Sequence, residues 1–237
     1  MMLTNEEMRE CRKRLEKWQT SSEMRRACDE IMHRMGADFF TQPGTEFLTQ
    51  ASAVISFAQH RGADAMRLIP ANDQSPDFEL QFGSRKEQWK FTEAGEPDRR
   101  YGMEYVESTP IAVAEKDFEV DPVATWIKRA DAAPESIRAR CAAKAEKHSS
   151  GWVRLLVYLN TQEYGIRQRE IEASFPAATA PAKDVFSEVW VFWKERPYCV
   201  WRDGRLALEV GVGSGKSNSS PSPSPSPSLE RSAQIGL

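Results

Sequence analysis

The chain has 237 residues, a formal charge of −3 and a pI near 5.8, with 40% hydrophobic residues. That length suits one domain with appendages, and the near-balanced charge excludes a globally basic nucleic-acid binder, so any phosphate contact must be local. Cys11, Cys28, Cys141 and Cys199 lie far apart, which argues against zinc and for reduced thiols, and no long apolar run or signal-like start points to a membrane.

Thr4 to about Met35 carries Met8, Cys11, Leu15 and Trp18 at helical spacing, with Thr4 and Glu7 as a capping box. It reads as an amphipathic helix pair packed on a core. The alternative is an arm that touches a partner or DNA through Arg12, Lys13, Arg14, Arg25 and Arg26, but interleaved acids cancel much of that field, which favours the packed pair. Pro43-Gly44-Thr45 starts a further helix that ends at Gly62, its stripe of Phe47, Leu48, Ala51, Val54, Ile55 and Ala58 suiting a helix laid on a sheet. Glu46 stands in its first turn, where the helix dipole favours a carboxylate whatever its role.

Ala65 to Ile69 reads as a short strand. Ser75 to Ala94 then reads as two strands joined by a turn at Gly83-Ser84, with Asp77 leading into the first. Strand periodicity puts Gln88, Lys90 and Thr92 on one face and Trp89 and Phe91 on the other. Glu79 shares the face of Asp77, while Glu93 falls on the opposite one.

Gly95-Glu96-Pro97 breaks the second strand, Asp98-Arg99-Arg100 is a short basic step, and Asp121-Pro122 opens a helix with Trp126 and Ile127. Pro134-Glu135 begins a helix through His148, with Ile137, Cys141 and Ala145 as its buried stripe. Trp152 to Leu159 suits a strand covered on both faces. Val189 to Trp193 and Tyr198 to Trp201 read as a closing hairpin or edge strands. Beyond Leu208 the sequence turns to Gly, Ser and Pro, and a tail of that kind is expected to stay disordered. Gly211 to Ser217 shares residue types with a phosphate-binding loop, but a Ser/Pro tract follows where a helix is required. The expected organisation is an N-terminal helical segment at 1–40, an α/β domain at 41–208 and the tail at 209–237.

An acid on one strand facing a polar-x-Lys step on its neighbour is a layout suited to Mg²⁺-dependent phosphodiester hydrolysis, with oxygen holding the cation and lysine steadying charge. His33, His60 and His148 have no partner at zinc-ligand spacing, and no Gly-x-Ser-x-Gly elbow occurs.

The hairpin resembles the PD-(D/E)xK nuclease superfamily. Pro76-Asp77 stands for the first half of that motif and Gln88-Trp89-Lys90 for the second, with Gln in place of the acid. The resemblance spans about residues 40 to 203. It takes in Gly44-Thr45-Glu46 as the leading helix, and Arg138 to His148 followed by Trp152 to Asn160 as the later helix and core strand. It implies a restriction-endonuclease-like mixed central sheet flanked by helices. It also implies catalytic roles for Glu46, Asp77, Gln88 and Lys90, with Mg²⁺ or Mn²⁺ held by Asp77, Glu46 and Gln88.

A second register, Lys90-Phe91-Thr92, sets Lys90 where a metal-binding carboxylate belongs and Thr92 where the lysine belongs. Periodicity does not choose between the two. Three readings therefore stand: a metal-dependent nuclease of DNA or RNA, an inactive relative that binds nucleic acid or protein, or an unrelated α/β interaction protein. The expected partners are nucleic acid, a protein met through the N-terminal helix, or a second copy of the chain in a homodimer, in the cytoplasm and without membrane contact.

Overall fold

The computed structural model describes residues 2–36, 38, 42–70, 75–95, 123–148, 152–161 and 167–210, the side chains of Trp126, Glu209 and Val210 excepted. Two helices open the chain, α1 (Asn5–Leu15) and α2 (Ser21–Met35). Each begins with a capping box, Thr4 with Glu7 and Thr20 with Glu23, in which threonine accepts from the backbone of the acid and the acid accepts from the threonine N–H. Helix α3 (Glu46–Arg61) stops where Gly62 turns left-handed at φ 68° and its N–H reaches back to Ala58 and Gln59.

Seven strands follow: β1 (Ala65–Leu68), β2 (Phe78–Phe82), β3 (Arg85–Gly95), β4 (Arg154–Asn160), β5 (Glu188–Trp193), β6 (Arg196–Arg202) and β7 (Arg205–Val210). They form one mixed sheet in sequence order. β1, β2 and β3 are an antiparallel meander, β3, β4 and β5 are parallel, and β5, β6 and β7 are antiparallel again. Parallel neighbours require crossovers, supplied by α4 (Val123–Lys147) between β3 and β4 and by α5 (Gln168–Thr179) between β4 and β5.

The alternation of side chains divides the core into two layers. Helices α1, α2 and α3 pack with Met66, Leu68, Phe78, Leu80, Trp89, Leu156, Trp190 and Phe192 on one face of the sheet. Helices α4 and α5 cover the other, with Ala94, Leu155, Val157, Val189, Val191 and Trp193. The chain is thus an α/β protein with a seven-stranded mixed sheet flanked by helices. Among the described residues, no helix is long and apolar enough to cross a membrane. The tail beyond Val210, with the Gly211–Ser217 stretch, lies outside the described residues, as do Arg99, Arg100 and Asp121.

Two expectations need correction. The two helices expected, one opened by Asp121-Pro122 with Trp126 and Ile127 and one begun at Pro134, are a single helix from Val123 to Lys147 that runs through Pro134 without ending. Ala130, Ala133, Ile137 and Cys141 are all buried on one stripe against the sheet. That packing outweighs the hydrogen bond which Pro134, lacking an N–H, cannot return to Ala130. Val189 to Trp193 and Tyr198 to Trp201 do form the expected hairpin, β5 with β6, but neither is an edge strand: β5 lies between parallel β4 and antiparallel β6, and the edges are β1 and β7. Helix α5 accounts for the difference, since a crossover there lets β5 lie parallel to β4.

β7 itself follows from Asp203-Gly204, whose positive φ values of 50° and 71° suit a two-residue hairpin turn. A bulge interrupts the β6–β7 ladder between Cys199 and Trp201, and Leu208 opposite it has a φ of 32°. Along β1, the Met66 N–H and C=O are both taken by Gln19 in the α1–α2 connection, at 2.8 and 3.0 Å.

Candidate functional site

The β2–β3 register pairs Phe78 with Trp89 and Glu79 with Gln88, which sets Asp77 across from Lys90. The backbone of Asp77 is held on three sides: its N–H donates to the Trp89 carbonyl at 2.7 Å, and its own carbonyl accepts from Ile69 N–H at 3.0 Å and Gln50 Nε2 at 3.4 Å. Its carboxylate then takes the place of a ladder acceptor, with Oδ2 receiving the Phe91 N–H at 2.7 Å.

Two ammonium groups meet on that carboxylate. Lys90 Nζ lies 3.6 Å from Oδ1, its side chain 5% exposed, and Lys144 Nζ donates to Oδ2 at 3.1 Å from the last turn of α4. A lysine so deeply buried needs a paired anion. Asp77 supplies it, and Lys144 adds a second positive charge to the same group. His148 follows Lys144 by four residues, its ring stacked on Phe186 at 5.2 Å between centroids. Burial, followed by the charge of Lys90, holds the imidazole below its ordinary value of 6.5; Asp77 opposes this and Lys144 reinforces it.

Gln88 and Glu79 form a separate group on the same face. Gln88 Nε2 donates to Glu79 Oε1 at 2.9 Å, and Arg67 holds Glu79 Oε2 at 2.7 and 2.8 Å. Glu79, the spare ligand of the sequence reading, is thereby occupied. Gln88 Oε1 is buried without a hydrogen-bond partner. Glu93 lies on the opposite face, as expected, where it accepts from Asn160 Nδ2 at 2.7 Å.

Glu46 opens α3 as an exposed residue. Among the described residues, no hydrogen bond or ion pair links it to Asp77, Gln88 or Lys90. Gln50, one turn further on, is the α3 residue that reaches the Asp77 segment. The helix that closes on the Asp77–Lys90 pair is α4, through Lys144, from the face opposite the α3 core.

These donors do not fit a hard divalent cation, which takes about six oxygens. Asp77 already carries two ammonium groups and an N–H, and Gln88 Oε1 is a single neutral oxygen. Among the described residues, no three acidic, histidine or cysteine side chains come together as a metal-binding group. All four cysteines are buried and none is in a disulfide, and burial pushes the thiols of Cys28 and Cys141 up to about 11 and about 12.

Sequence reasoning missed Lys144, His148 and Gln50. The first two were accessible to it: residues 130, 133, 137, 141, 144 and 148 continue one helical stripe, so a lysine and a histidine on it face the sheet. Compared with protein families, curated proteins and solved structures, the chain matches none of them.

Proposed function

We propose that this chain is a nuclease-like α/β domain that binds the phosphate backbone of nucleic acid through Lys90 and Lys144, without metal-dependent cleavage. The observation that carries this reading is the Asp77 carboxylate shared between two ammonium groups, at 3.6 and 3.1 Å. Two ammonium groups converging on one carboxylate form a set of donors that suits phosphate and opposes a cation. Lys90 directly across from Asp77 favours the register in which a lysine stands where the resemblance has a metal-binding acid.

The order of α3, the β2–β3 hairpin, α4 and β4 supports the resemblance itself. Along its whole length α4 carries Lys128, Arg129, Arg138, Arg140, Lys144 and Lys147 against Asp131, Glu135 and Glu146. This concentrates positive charge on one helix of a chain that is acidic overall.

Fluorescence anisotropy with single- and double-stranded DNA and RNA tests the reading. Binding is expected in EDTA as well as in Mg²⁺, falls as salt rises, and weakens about tenfold in Lys144→Ala. Absence of binding to all four overturns it. The active-nuclease reading keeps one observation in its favour, the orphaned Gln88 Oε1. Mg²⁺- or Mn²⁺-dependent cleavage of the same oligonucleotides, lost in Asp77→Ala, would establish that reading instead.

A further inference from the structure

We infer that Asp77 is a built-in competitor: its carboxylate fills an oxyanion site made by the Lys90 and Lys144 ammonium groups and the Phe91 N–H, and a phosphate group takes its place on binding. The inference rests on the phosphate-binding reading and adds the means by which the site is restrained.

Three donors from three places in the chain meet on one carboxylate: a strand side chain, a helix side chain and a backbone amide. Ammonium groups and an amide N–H are the donors that oxyanions take from proteins. Lys90 requires a counter-charge because it is buried. Lys144 does not, since its side chain is 29% exposed and water is open to it. Its approach to an acid that Lys90 already neutralises is what a structural ion pair leaves unexplained and an anion site accounts for.

The geometry also permits the exchange. The Asp77 backbone is held by hydrogen bonds with Trp89, Ile69 and Gln50, and none of these three bonds uses the carboxylate. Rotation about its Cα–Cβ bond therefore clears the site while strand pairing stays intact. Asp77 is 22% exposed beside Lys144, so the site opens to solvent on that side, with Lys90 as its floor.

The test is titration of wild type and Asp77→Asn with inorganic phosphate in EDTA at pH 7, by calorimetry and ³¹P NMR. Asp77→Asn keeps the side-chain shape and an acceptor for the Phe91 N–H. It is expected to bind phosphate at least about tenfold more tightly than wild type, and adding Lys144→Ala should cancel the gain. Equal affinity in wild type and Asp77→Asn, or a gain that survives Lys144→Ala, overturns the inference. If Asp77→Asn does not fold, Asp77→Ser, whose hydroxyl also accepts from Phe91, is titrated with the same two criteria. Oligonucleotide binding is followed in parallel. Lys144-dependent binding without a phosphate gain in Asp77→Asn sinks the competitor and spares the proposed function. A phosphate gain without oligonucleotide binding by any variant sinks the proposed function and leaves a site for free phosphate.

Discussion

Substituting Glu87 by Gln should be among the most damaging single changes in the molecule. Its side chain is 2% exposed and serves three guanidinium groups: Arg85 at 3.1 Å, Arg61 at 3.4 Å and Arg154 at 3.7 Å. Arg61 sits among aromatic rings, 4.5 Å from the centroid of Trp190 and 5.5 Å from that of Trp89. Burial pulls the Arg61 guanidinium below its ordinary range, and Glu87 is the largest influence opposing this. The amide keeps the shape but removes the charge. Glu188 is then left as the acid that still pairs with both Arg61 and Arg154, at 3.9 and 3.5 Å.

Breaking a buried ion pair from one side typically costs about 3–5 kcal/mol. We expect the lower end, about 3 kcal/mol, because the aromatic rings still favour the Arg61 cation. In a domain of this size that lowers the melting temperature by about 6–12 °C. Urea unfolding followed by tryptophan fluorescence would read it as a lower midpoint at unchanged slope. Arg85→Ala, at a side chain 64% exposed, should cost less than about 1 kcal/mol. A loss below about 1 kcal/mol in Glu87→Gln would refute the view that this cluster supports the fold through its charge.

Lys90→Glu should create a two-carboxylate pair with Asp77 and raise Mg²⁺ affinity in calorimetry, whereas Gln88→Glu should not. Gln88→Glu should instead lower the melting temperature, because it sets two carboxylates directly across from each other at Glu79; the reverse pattern would favour the Gln88 register. His148 is held below 6.5 when folded, so the unfolded chain takes up its proton first as pH falls. Its contribution to stability is therefore present above about pH 6.5 and lost as pH drops from there to the folded value. His148→Gln should flatten that part of the stability profile, measured by denaturant midpoint against pH, and an unchanged slope would count against it.

Much of the fold was legible because local signals agreed with tertiary packing. Thr4 with Glu7, Gly62 after α3 and Gly83 between β2 and β3 each mark a boundary by a hydrogen bond or a backbone angle that few residues supply. The alternation through Gln88, Trp89 and Lys90 predicted the two faces of β3 for the same reason. The site was only half legible. Asp77 and Lys90 are joined by strand pairing, which periodicity anticipates, but Lys144 is 67 residues from Asp77 in sequence and meets it through the crossover of α4. That approach depends on where α4 begins, and Pro134 points to the wrong place. Helix α5 was missed although Ile171, Phe175 and Ala178 are spaced for one buried face, because Pro176 interrupts the pattern. Which register of β3 faces Asp77 is a matter of pairing across the sheet, and no property of β3 alone carries it.

The two borders of the sheet bear on how this protein can join with others. On β1, Gln19 has already docked to Met66, and the strand is four residues long. On β7, the bulge and the left-handed Leu208 break the straight row of donors and acceptors that an incoming strand would have to match. Leu206 and Leu208 stand out at 57% and 46% exposure beside a border so shaped. Zippering of copies into a longer sheet is thus discouraged at both ends by the backbone itself. A homodimer, or any protein companion, that lent a strand would meet these features at either border.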